Sequence, residues 1–181
     1  MASRRALSTG SAAVLLAATA LAARSRRVSQ AEAEVFRTIN DTPEGLHFAA
    51  WPVMQRGSLG SVFAAAAAAH QRRHDPRRTV FIAATGTAVW GGIKLIKPLV
   101  GRGRPADLLP DVTVRGPAQS GLGYPSGHAA VAVALGILTT SSPRARAVAL
   151  SGAVRTGLSR IYVGAHMPLD VLGGFAAGSL V

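Results

Sequence analysis

Apolar residues gather into six segments along the chain, at about 9–23, 57–69, 79–96, 127–140, 145–158 and 168–181. Their pattern predicts an all-α fold, and in a bilayer a six-transmembrane-helix bundle. Several segments fall short of the roughly 20 residues that a spanning helix needs. Residues 127–142, for example, would form a helix about 24 Å long, so such helices must run into their flanks or sit where the bilayer thins. A soluble all-α bundle is the competing reading. The last segment runs to the final residue, so the sixth span is expected to be clipped.

Between the first two segments, residues 30–39 read as a short amphipathic helix lying on a membrane surface. Turn chemistry follows at Asn40-Asp41-Thr42-Pro43. Small residues are frequent in the apolar segments. The Gly174-x-x-x-Gly178 spacing suits close helix approach in lipid, whereas the run Ala64 to Ala69 is read as composition bias. There is no internal repeat. The whole chain, 1–181, reads as one domain with a first span at 9–23, the amphipathic helix at 30–39 and a catalytic core at 57–181.

Composition strengthens the membrane reading. Hydrophobic residues make up 49% of the chain and charged residues 15%, and the mean hydropathy is +0.29; soluble domains carry about 25% charge. The net charge of +12 invites a nucleic-acid partner, but aromatic residues are only 5% and no basic-aromatic module is present. Arginine clusters between apolar segments suit cytoplasmic loops and anionic headgroups better. With no cysteine, disulfides, thiolate metal sites and cysteine nucleophiles are excluded. The N-terminus, Arg4 and Arg5 followed by an apolar run ending Leu21-Ala22-Ala23, has the look of a signal peptide; the apolar segments that follow favour an uncleaved first span.

Six alternating spans put the basic stretch from His70 to Arg78, with Arg144 and Arg146, on the side of Arg4 and Arg5, which the positive-inside rule makes cytoplasmic. Residues 97–126 and 161–167 then share the extracytoplasmic face. Arg24, Arg26 and Arg27 run against this pattern.

That face holds the candidate chemistry. Asp170 interrupts the apolar run 168–181, where a carboxylate is costly without a partner. If Pro168 opens a helix, His166 stands at its mouth and Asp170 one turn in, within reach of one imidazole nitrogen. The pair is either a satisfied buried contact or an oriented base or nucleophile. Lys97 and Arg104 supply positive charge, Arg as a bidentate phosphate grip and Lys as a point charge. Ser126 and Gly127 sit at an expected helix N-terminus, where backbone N–H groups and the helix dipole favour an anion. His128 faces the same spot, and Arg160 arrives from the end of the fifth segment. Taken singly, Lys97 reads as a snorkelling lysine, Pro125-Ser126-Gly127 as a plain helix start and His128 as structural. Arg102 and Arg115 read as ordinary loop charges, and Asp107 and Asp111 as loop or cap residues. Together the pieces converge as a phosphoryl site would.

The residues Lys97…Arg104-Pro105, Pro125-Ser126-Gly127-His128 and Ser159-Arg160…His166…Asp170 match, in order and spacing, the signature K-x6-R-P, P-S-G-H, S-R-x5-H-x3-D. The chain therefore resembles the type 2 phosphatidic acid phosphatase family, which shares its core with vanadium haloperoxidases and bacterial acid phosphatases. The resemblance implies a lipid phosphatase without metal or other cofactor. In it His166 attacks phosphorus, Asp170 orients His166, and His128 protonates the leaving oxygen and then activates water. Lys97, Arg104, Ser126, Gly127 and Arg160 hold the phosphate oxygens. Expected partners are the bilayer and a lipid phosphate: a polyprenyl diphosphate, phosphatidate, phosphatidylglycerol phosphate or a polyprenyl-phosphoryl sugar phosphate. The Ala- and Arg-rich composition suggests a high-GC bacterium, where decaprenylphosphoryl-5-phosphoribose phosphatases belong to this type. A lipid phosphotransferase, a vanadate-dependent haloperoxidase and a non-catalytic lipid-phosphate carrier are the alternatives.

Overall fold

The structure, a computed structural model, describes residues 2–25, 27–117 and 119–181. Among these residues the regular elements are all helical: α1 (Ala2–Arg24), α2 (Gln30–Asn40), α3 (His47–Gln55), α4 (Leu59–Arg73), α5 (Pro76–Val100), α6 (Pro105–Leu108), α7 (Gly127–Thr139), α8 (Pro143–Tyr162) and α9 (Pro168–Gly178), with a 3-10 turn at Glu44–Leu46 before α3. The six apolar segments fall on α1, α4, α5, α7, α8 and α9. Residues 30–39 form α2. The sequence pattern missed α3, whose Pro52 lies inside a nine-residue helix.

Local chemistry explains the boundaries. Ser29, Ser58, Asp75, Ser126 and Ser142 each precede a helix and accept a backbone N–H of its first turn; each such cap contributes about 1 kcal/mol. Pro76, Pro105, Pro143 and Pro168 occupy first-turn positions that need no N–H donor. Gly101, at φ 69°, ends α5 in a left-handed turn that favours glycine.

Helix α7 sits at the centre, packed against α5, α8, α9 and, more lightly, α4. Its residues from Ala129 to Gly136 are all buried, and most are small. Helix α1 packs on α9, α3 on α8, and α2 on both α8 and α9. One cluster joins Phe36 of α2 to Ala129, Ile161, Met167 and Val171; full burial of a Phe side chain contributes about 1.5–3 kcal/mol. The buried side of α2 comprises Glu32, Ala33, Phe36 and Asn40, so this helix is clamped to the bundle by one face. Tyr124 Oη lies 2.9 Å from Thr19 Oγ1 and donates to the Leu16 carbonyl at 3.1 Å, which ties α1 to the loop before α7.

The outer faces are apolar. Val14 and Leu21 on α1, Phe63 on α4, Val80, Phe81, Leu95 and Leu99 on α5, and Val148 on α8 are exposed. The stretch Pro76–Leu108, which takes in α5, is long and apolar enough to cross a membrane; Thr9–Arg24 and Gly127–Thr139 are shorter apolar helices.

Small residues close the α7–α9 seam. A Cβ at Gly174 would collide with the Ser126 carbonyl and lie 2.9 Å from Ala129 Cβ, and one at Gly178 would collide with the Ala130 carbonyl. Gly174→Val is expected to destabilise the protein by about 1–3 kcal/mol through overpacking, read as a lower Tm in detergent. Gly91→Ala, where an added Cβ meets nothing within 4 Å, is expected to leave Tm unchanged or slightly raised.

Candidate active site

The signature residues lie on three pieces of chain at one end of the bundle. Lys97 is in the last turn of α5 and Arg104 caps α6. Ser126, Gly127 and His128 form the mouth of α7. Arg160 lies near the end of α8, and His166 and Asp170 flank the start of α9. The mouths of α7 and α9 are joined directly, the Ser126 N–H donating to the Asp170 carbonyl at 2.8 Å. The turn from Ile161 to Met167 folds back on α8: the N–H groups of Ala165 and His166 both donate to the Arg160 carbonyl, at 3.0 and 3.2 Å. This turn brings His166 alongside Arg160.

Asp170 is completely buried. Its Oδ2 accepts the Met167 N–H at 2.9 Å, as an acidic side chain in a first helical turn can do. Oδ2 also lies 3.5 Å from His166 Nδ1, too long for a well-formed hydrogen bond; catalytic contacts of this kind often shorten once the reacting group is bound. With Nδ1 towards Asp170, Nε2 is the nitrogen on the opposite side of the ring. A Cβ at Gly123 would come 2.6 Å from the Gly103 carbonyl and 2.9 Å from Asp170 Oδ2. Only glycine lets the loop pass so close to the carboxylate.

Lys97 and Arg104 are held by backbone carbonyls. Lys97 Nζ donates to Leu122 and Gly123, at 2.7 and 3.0 Å, and therefore turns into the bundle rather than snorkelling outward. Arg104 donates to the carbonyls of Ser120, Gly121 and Ala165. Arg160 is 3% exposed; its Nη1 contacts Met54 Sδ at 2.8 Å, while its Nε has no hydrogen-bond partner among the described residues. A cavity of about 190 Å³ opens beside Arg104 and Arg160, lined also by His128 and by Trp51, Met54 and Gln55 of α3.

Two charges read from the sequence as ordinary loop residues are not. Arg102 is completely buried and paired with Glu32 of α2 at 2.6 Å and with Asp170 at 3.4 Å. Arg115 donates to the carbonyls of Asn40, Thr42 and Tyr162 and stacks over the Tyr162 ring. Asp107 does act as a cap, accepting the Arg104 N–H at 2.8 Å. Local spacing shows none of these partners distant in sequence. The one available signal was Glu32 itself, an acid on the same side of α2 as Ala33 and Phe36.

The PAP2 superfamily matches residues 77–181, more than half of the chain, and the chain belongs to that superfamily. An undecaprenyl-diphosphatase from Sulfolobus acidocaldarius is 35% identical over 80 residues, covering 43% of this chain and 39% of that protein's length. Among solved structures, LpxE from Aquifex aeolicus superposes with a TM-score of 0.70 at 25% identity, over 80% of this chain and 88% of that one. The first transmembrane PAP2 type phosphatidylglycerolphosphate phosphatase from Bacillus subtilis superposes with a TM-score of 0.69 at 22% identity, over 95% and 90%; that likeness establishes the fold.

Burial lowers the pKa of His166 well below its usual 6.5, and the nearby positive charges of Arg160, Lys97 and Arg104 lower it further. The folded chain thus keeps this ring neutral where the unfolded chain binds a proton. The stability contributed by the neutral ring is whole above pH 6.5 and is lost progressively as pH falls below it. Stability measured by thermal unfolding between pH 5 and 8 should therefore fall on the acid side, and a His166→Asn variant should show a flatter profile there. An equally steep acid slope in the variant would assign the effect to other groups.

Proposed function

We propose that the chain is an integral membrane phosphatase that hydrolyses a lipid phosphomonoester or diphosphate through a phosphohistidine at His166. The observation that carries this reading is a buried histidine backed by a carboxylate and close to three cations, Lys97, Arg104 and Arg160. An excess of positive charge beside the cavity suits a phosphoryl group, and a neutral imidazole keeps a lone pair for attack.

In the proposed reaction, Nε2 of His166 attacks phosphorus and the bond from phosphorus to the leaving oxygen breaks, the lipid oxygen of a monoester or the bridging oxygen of a diphosphate. His128, as the imidazolium that a bound anionic phosphate favours, gives a proton to that oxygen, and the lipid alcohol (or, from a diphosphate, the lipid monophosphate) leaves. His128 then takes a proton from water as the water oxygen attacks the phosphohistidine. The P–N bond breaks, inorganic phosphate departs and both histidines return to their starting states. Lys97, Arg104, Arg160, the Ser126 hydroxyl and the Gly127 N–H stabilise the charge on the phosphoryl oxygens. Asp170 holds Nδ1 and offsets the positive charge that builds on the ring.

The membrane setting follows from the same framework. Helices α1, α4, α5, α7, α8 and α9 are proposed to span, with their exposed apolar faces towards lipid. From Arg78 to Lys97, α5 rises about 28 Å at 1.5 Å per residue, close to the roughly 30 Å hydrocarbon core. Arg78 donates to the Leu138 carbonyl at the far end of α7, so the basic α4–α5 and α7–α8 turns lie opposite the site. The positive-inside rule then favours an extracytoplasmic site.

The test is phosphate release by the purified chain in detergent and chelator, across phosphatidate, phosphatidylglycerol phosphate and polyprenyl diphosphates. Release from at least one of them is expected, with inhibition by vanadate and a loss of at least about 10³-fold in His166→Ala. Undiminished release by that variant would refute the mechanism.

A further inference from the structure

Glu32 belongs to none of the three signature segments, yet it is bound into their centre. Its side chain is 5% exposed. Oε1 and Oε2 accept from Arg102 Nη1 and Nη2, at 3.0 and 2.6 Å, and Oε1 also accepts the Leu169 N–H in the first turn of α9 at 3.0 Å. Arg102 Nη1 in turn lies 3.4 Å from Asp170 Oδ1. One guanidinium nitrogen is thus shared between two carboxylates, with the shorter contact to Glu32.

We infer that Glu32 is a positioning residue for the nucleophile, acting through Arg102 and Asp170. The inference rests on the reading of His166 as the attacking group. In a buried site an arginine fork free of its first partner will pair bidentately with any carboxylate in reach. Without Glu32, Arg102 would close its contact with Asp170 and draw that carboxylate from His166 Nδ1, already 3.5 Å away. Glu32 holds Arg102 back and, by its bond to Leu169, fixes the first turn of α9 on which Asp170 stands. The cations proposed to bind phosphate donate elsewhere, Lys97 to Leu122 and Gly123, Arg104 to Ser120, Gly121 and Ala165. Losing Glu32 should therefore disturb attack and leave phosphate binding intact. Helix α2, outside the 77–181 family match, thereby becomes part of the catalytic apparatus.

The experiment compares the full-length wild type with Glu32→Gln, Glu32→Asp and Arg102→Lys in detergent, using dioctanoyl phosphatidate and farnesyl diphosphate as probes. Rates are taken per molecule eluting as folded protein. Glu32→Gln is expected to lower kcat about 10- to 100-fold, the scale of a small misplacement of a reacting group, with KM within about threefold of wild type. Glu32→Asp, which keeps the charge on a shorter arm, should be intermediate, and Arg102→Lys, which loses the planar fork that grips both Glu32 oxygens, should resemble Glu32→Gln. If Glu32→Gln does not accumulate as folded protein, the other two variants decide the matter. Wild-type kcat per folded molecule in the variants, whatever their yield or Tm, would make Glu32 a structural tie alone and overturn the inference. A wild type lacking any His166-dependent release would instead overturn the underlying assignment of the nucleophile.

Discussion

A carboxylate without exposure to water is the constraint on which the rest of the site depends. Removing the Asp170 charge from solvent costs several kcal/mol unless other groups replace the lost hydration. The structure supplies the Met167 N–H and the Arg102 guanidinium, with the imidazole of His166 a little further off, all near the positive end of the α9 dipole. Each supplier brings its own demand. Arg102 is itself buried and needs Glu32, which recruits α2; the close passage beside Oδ2 needs a glycine at 123, which sets the path of the loop into α7.

The second balance is between this network and the cations around it. Glu32 and Arg102 neutralise one another, so Lys97, Arg104 and Arg160 are opposed chiefly by Asp170, with Asp107 beside Arg104. The side-chain donors of Lys97 and Arg104 are steadied by backbone carbonyls and Arg160 rests on the Met54 sulfur, rather than on acids, which leaves their positive charge available to an anion. Helix termini add to the same field: Gly127 lies in the first turn of α7, where backbone N–H groups have no helical partner. An apolar, tightly packed α7 holds these pieces in register.

Much of this was legible in the sequence, and the reasons differ from residue to residue. Apolar periodicity with Ser, Asp and Pro at the boundaries marked the long helices, because caps and first-turn prolines are local chemistry. Lys97, Arg104, Ser126, Gly127, His128, Arg160, His166 and Asp170 could be set on one face from alternation of the segments alone, and they do lie together. Arg102 could not be told from a solvated loop charge, because its partner Glu32 is 70 residues away and pairing at that range leaves no local spacing. Residues 30–39 were amphipathic enough to suggest a membrane-surface helix, but the buried side carries Glu32 and Asn40, whose bonds become visible only against α8, α9 and the segments on either side of α6. Helix α3 escaped notice because Pro52 interrupts its pattern, although Trp51, Met54 and Gln55 line the cavity.

The central claim is that His166, held by Asp170, forms the covalent bond to phosphorus. Its most direct measurement is rapid quenching of the chain turning over a ³²P-labelled lipid phosphate, followed by mapping of the label. The expected result is an acid-labile, alkali-stable phosphoramidate on His166, absent from His166→Asn. Label on another residue, or turnover in which no protein-bound phosphate can be trapped while product accumulates from His166→Asn, would contradict it.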